Sequence, residues 1–188
     1  MRKLFFIVSL ILSFSFTLQN HSSNADYKKK VKKVLNKIWL TGKIETKAVE
    51  FPDTIAQPDF SVNSIFHNNE FAGFYCIKEA NGCHLGGCDK SDPDVFVSEY
   101  EKFVYMIVFE PDLTIKKVEV IDYKSNYGFQ VTSKKWLKQF IGISSGEMFG
   151  YGQNIDAISG ATTSGKSLVD NTNEICNVML ELRNKKLI

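Results

Sequence analysis

The chain has 188 residues and is 44% hydrophobic, 13% aromatic and 23% charged, a composition that suits one packed domain and excludes a disordered chain. Its net charge is +2, and both surplus charges, Arg2 and Lys3, precede Asp26; from there on the two signs balance. A globally basic field for nucleic acid is thereby excluded.

The first 25 residues read as an export signal. Arg2 and Lys3 form a positive start, Leu4 to Leu18 is uncharged and rich in Phe, Leu and Ile, and Ser23-Asn24-Ala25 places small residues before a cut. The apolar run falls short of the ~20 residues of a spanning helix, and no Cys follows it for lipidation. The expectation is an extracytoplasmic, periplasmic-type protein whose mature chain, 26–188, is a single domain in an oxidising compartment.

Tyr27 to Leu40 is Lys-rich, with Val31, Val34, Leu35 and Ile38 at helical spacing. It predicts a helix docking one face on the core with its lysines in water. The sharper reading lays this helix on an anionic membrane, as a peripheral association. Phe71 to Lys78 reads as a strand, Lys102 to Glu110 as a second and Thr114 to Tyr123 as a third, with Val118 and Val120 on one face. Pro111-Asp112 is a turn signal that makes the last two an antiparallel hairpin. Ser133 is placed to cap a helix carrying Trp136, Leu137, Phe140 and Ile141, stopped by Gly142. A final helix from about Ser164 to Asn184 carries Leu168, Ile175, Met179 and Leu182 as one stripe. Together these predict an α+β fold, mainly an antiparallel sheet with flanking helices.

Four cysteines are present. Export favours a disulfide, most simply Cys83 to Cys88, over a zinc site built from Cys76, Cys83, His84 and Cys88, whose spacing is irregular. A redox-active dithiol ranks below both.

Residues 156–167, Asp-Ala-Ile-Ser-Gly-Ala-Thr-Thr-Ser-Gly-Lys-Ser, carry the chemistry. Gly160, Gly165, Lys166 and Ser167 match the P-loop pattern in full. Its context argues against it: no buried strand precedes it, and the 21 residues after Ser167 have no room for the rest of an α/β sheet. What the residues offer instead is an anion site. Ser159, Thr162, Thr163 and Ser164 set four hydroxyls at a helix start, and Gly160 and Ala161 keep the backbone bare.

Asp156-Ala-Ile-Ser-Gly-Ala-Thr162 resembles the D-x-x-S-G-A-T signature of the FMN-binding domain family. That family includes the flavin subunits of the sodium-pumping NADH:quinone reductase and of the Rnf complex, together with small exported flavoproteins. Asp122 to Gln130, and Ser133 to Phe140 after it, is similar to the small exported members; it departs from the E-T-P-G-L-G of large members with Ser125-Asn126-Tyr127-Gly128. The similarity covers roughly residues 60–180.

The resemblance implies FMN as cofactor, esterified through its phosphate to Thr162 by an exported FMN transferase that recognises Asp156. Thr163 and Ser164 would hold the phosphate, Tyr127 would flank the ring and Gly128 would permit close approach. Trp136 and Phe140 read as core. The implied function is extracytoplasmic electron transfer with redox donor and acceptor proteins or quinone. A module holding FMN or another phosphate ligand noncovalently, without redox catalysis, is the alternative.

Overall fold

The computed structural model describes residues 20–52, 58–84 and 100–188, with side chains given for all of these except 20–26 and His84. The expected signal run and Cys88, and with it the Cys83–Cys88 pairing, lie outside the described residues.

The fold is α+β. One antiparallel sheet in the order β1-β2-β3-β4-β5 is built from β1 (Ile44–Ala48), β2 (Ser61–His67), β3 (Glu70–His84), β4 (Tyr100–Phe109) and β5 (Ile115–Tyr123). Three α-helices accompany it: α1 (Asn20–Ile38), the short α2 (Lys134–Leu137) and α3 (Thr162–Asn184). The predicted helices and strands are all present, but α1 begins at Asn20, ahead of the expected Tyr27, and β3 runs on to His84. β1 and β2 are additional. β2 turns into β3 at Asn68-Asn69, both with positive φ, which is the two-residue turn whose twist matches paired strands. β4 turns into β5 through Leu113, whose φ of 68° is held by a fully buried side chain and by its N–H donating to Glu110 O at 3.0 Å.

β4 explains the sheet's place in the molecule. Its run Phe103 to Phe109 is apolar at every position, the pattern of a strand buried on both faces. Phe103, Tyr105, Ile107 and Phe109 pack on one side with Leu168, Ile175, Met179 and Leu182 of α3. Met106 and Val108 pack on the other with Val31, Val34 and Leu35 of α1. The N-terminal helix therefore docks on the core by its apolar stripe, as its spacing predicts.

The sheet's two margins differ. β5 is covered at its start, where Ile115 N–H donates to Ile143 O (2.9 Å) and Gly142 N–H donates to Ile115 O (2.8 Å). β1 is a margin strand with four of its five residues exposed, and among the described residues no strand pairs with its outer side.

Candidate functional site

The site lies where the end of β5, the segment 124–140 and the start of α3 meet. α3 begins at Thr162, with Ala161 as its N-cap and Gly165 N–H making the first i→i−4 bond to Ala161 O at 2.8 Å. Thr162, Thr163 and Ser164 are thus the first helical turn and not a loop before it, and no side chain caps the helix. Their backbone N–H groups have no acceptor within the helix and point out of its positive end. Thr162 is exposed, Thr163 half-buried and Ser164 fully buried.

Ser164 turns inward. Its Oγ lies 3.3 Å from Tyr123 Oη at the end of β5 and 3.9 Å from Cys83 Sγ at the end of β3. Tyr123 also donates its hydroxyl proton to Tyr127 O. Burial raises the Tyr123 phenol above its ordinary value, the Ser164 hydrogen bond opposing the rise. Gly128 completes the knot. It is buried with φ 73°, and a Cβ here would stand 2.7 Å from Ser164 Oγ, 2.8 Å from Tyr123 Oη and 2.9 Å from Cys83 Sγ. What Ser164 offers a ligand at this helix end is its N–H; its hydroxyl is committed inside.

After Gly128 the chain makes a tight turn, Phe129–Thr132, and then α2. Ser133 precedes α2 but its side chain makes no capping bond, and Ile141 is exposed, unlike the buried Trp136, Leu137 and Phe140. The helix is one turn long before it tightens, so the expected stripe stops at Phe140 and does not carry Ile141 inward. Two α2-side residues hold the opposite strand of chain: Trp136 Nε1 donates to Asp156 O (2.7 Å), and Asp156 N–H donates to Gln139 Oε1 (2.9 Å). The main chain of Asp156 is thereby gripped at both its polar groups, with its carboxylate left exposed.

Between these walls is an open cavity of about 580 Å³, lined by Phe129, Gln130, Trp136, Gln139, Asp156 and Ser159 among others, within the ~300–1,000 Å³ span of small-molecule sites. Gln130 Oε1 is buried with no hydrogen-bond partner, and Gln130 Nε2 lies 3.1 Å from where a Cβ on Gly160 would be. Tyr127 is half exposed and does not line the cavity; Phe129, 56% exposed, does. Trp136 is both core and wall.

The P-loop reading is removed by the same geometry. Gly165 sits inside α3 under Tyr151, whose ring would come within 2.7 Å of a Cβ there, and Ser167 Oγ accepts from Asn81 N–H (3.0 Å). The zinc set is removed as well. Cys76 Sγ lies 3.8 Å from Met179 Sδ while Cys83 lies against Ser164. Those partners are fifteen residues apart on α3, about 22 Å along the axis. Burial holds the Cys76 thiol well above its ordinary value, and pushes Cys176 up to about 11.

Residues 100–177 match the family model of the FMN-binding domain. This part of the chain is an FMN-binding domain. The match runs from β4 into α3 and takes in both walls of the cavity and the helix start. FMN is the cofactor. A comparison with curated proteins gave no match.

The residues present fit FMN. Gln130 carries an orphaned acceptor and two amide donors at the cavity, a pairing that suits the mixed donor–acceptor edge of a flavin ring. The first turn of α3 presents N–H groups to a phosphate. Phe129, Gln130 and Gln139 were not singled out in the sequence. The signal that could have found them is Gly128: a left-handed residue re-aims the chain, so the aromatic after it faces the cavity and the one before it does not.

Proposed function

We propose that this FMN-binding domain holds its FMN covalently, as a phosphoester on Thr162 Oγ1, and works outside the cytoplasm as an electron carrier. The observation that carries the reading is the position of Thr162: an exposed residue in the first turn of α3, three residues after the cavity-lining Ser159, next to three N–H groups without helical acceptors. Esterification replaces the hydroxyl proton with the FMN phosphoryl group, taken from FAD by a transferase with AMP leaving.

Within the site, the N–H groups of Thr163 and Ser164 bind phosphate charge, and the Thr163 hydroxyl adds a donor. Gln130 orients the ring through its amide. Phe129 and Trp136 exclude water from the cavity's apolar side. Bound FMN supplies one- and two-electron chemistry, so it can connect a two-electron donor to one-electron acceptors. The N-terminal sequence supports export, where a covalent bond prevents loss of a dilute cofactor.

Intact mass of the protein produced with and without an FMN transferase tests this. The expected result is a gain of one FMN less one water on the peptide containing Thr162, absent in Thr162→Ala. Flavin that leaves on denaturation, with no mass gain, would overturn the covalent reading in favour of noncovalent binding.

A further inference from the structure

The chain is electrically neutral from Asp26 onward, yet its charge is unevenly placed. Between Asp122 and Glu147 there are four lysines, Lys124, Lys134, Lys135 and Lys138, and no acidic residue. This stretch is one wall of the FMN cavity. All four lysines are exposed. Lys124 lies 3.6 Å from Asp122 Oδ2, and Lys30 pairs with Oδ1 of the same carboxylate; Lys134, Lys135 and Lys138 have no carboxylate within ion-pair distance among the described residues. Across the mouth stands one exposed acid, Asp156. In the same acid-free stretch lie two exposed aromatics, Tyr127, 49% exposed, and Phe129, which lines the cavity with Lys135.

We propose that this mouth is the docking surface for an acidic redox protein. The proposal rests on the electron-carrier reading. Two exposed aromatics in a stretch whose charges are all lysines combine the residue types of a protein interface, apolar anchors with a charged surround. About half of each residue is already covered by the chain itself, which suits a protein surface better than the ~5–10 Å penetration of a lipid anchor. The positive surround raises the encounter rate of an acidic partner and deters a basic one. Because Phe129 and Lys135 also line the cavity, a partner seated here lies over the flavin.

The test uses two ferric cytochromes as probes, acidic cytochrome b5 and basic cytochrome c, with the flavin-loaded full chain reduced in the absence of oxygen. Each reduced flavin gives one electron to each of two haems, returns to its oxidised form and releases its protons to the buffer. The second-order rate with cytochrome b5 should fall roughly tenfold from low to physiological salt, and that with cytochrome c should rise. The sign of each slope is independent of driving force. Combining Lys124→Glu, Lys134→Glu and Lys138→Glu should reverse both signs while the visible flavin spectrum stays unchanged. Flavin-free protein should sediment with cytochrome b5 at low salt and lose this in the triple variant.

Flat or like-signed slopes would overturn the docking surface and leave the carrier intact. A reduced flavin that reduces neither cytochrome would overturn the carrier reading itself. Capture by phosphatidylglycerol vesicles that is lost in the triple variant, with cytochrome b5 rates independent of salt, would replace the partner by a lipid surface.

Discussion

Two neighbouring residues, Tyr127 and Phe129, separate what the motif suggests from what the backbone does. Tyr127 is the natural choice from sequence because it stands beside the glycine of the family segment. The φ of 73° at Gly128 turns the chain so that Phe129 meets the cavity. Phe129→Ala should therefore change the visible flavin spectrum and shift the midpoint potential, whereas Tyr127→Ala should leave both close to wild type; a flavin titration of the two variants decides. Gly128→Ala adds a methyl within 3 Å of Ser164, Tyr123 and Cys83 at a left-handed φ. Urea unfolding should show a loss of about 1–3 kcal/mol. Gly146→Ala, which meets nothing within 4 Å, should stay within about 0.5 kcal/mol of wild type. The hydroxyls of 162–164 were legible as a group, but their division into an exposed Thr162 and an inward Ser164 was not, because it depends on β3 and β5 arriving at the same helical turn.

At the scale of elements, legibility followed burial. β4 and α3 announce themselves because every side chain, or every third and fourth, is apolar. β1 and β2 do not: β1 exposes four of its five residues, and Ser-Val-Asn-Ser-Ile-Phe-His in β2 has few apolar positions. The Asn68-Asn69 turn was their available signal. The packing of β3 on α3 has a pH consequence. Cys176 keeps its proton in the folded protein to about pH 11, against an ordinary value of 9.0. Between these values the unfolded chain has released the proton and the folded one has not, so stability falls as pH rises through the window and levels off above it. The slope approaches ~1.36 kcal/mol per pH unit for one group, about 2–3 kcal/mol in all. Urea midpoints of wild type and Cys176→Ala from pH 8 to 11 should converge accordingly, the wild type losing more.

For the whole molecule, β4 joins two apolar clusters that α1 and α3 cover from opposite sides. The two tryptophans divide between them: Trp136 belongs to the α3-side cluster, and Trp39 packs against the α1-side one. Because one strand serves both, the clusters should melt together. Flavin-free Trp39→Phe and Trp136→Phe variants, each followed by its remaining indole, should differ in midpoint only by the cost of the substitution itself and give equal urea m-values. A low m-value for one probe would mean that one face opens alone.

The open margin of the sheet bears on how copies of this chain meet one another. β1 reads Ile-Glu-Thr-Lys-Ala, and Lys43 pairs with Glu45 along it. A strand this short with exposed charged side chains is a poor template for a second molecule's edge, while the other margin is covered at its start by residues 142–145. The same short, charged strand that contributes little to the core therefore guards against sheet-to-sheet aggregation, and the chain has its colloidal stability written into its least conspicuous element.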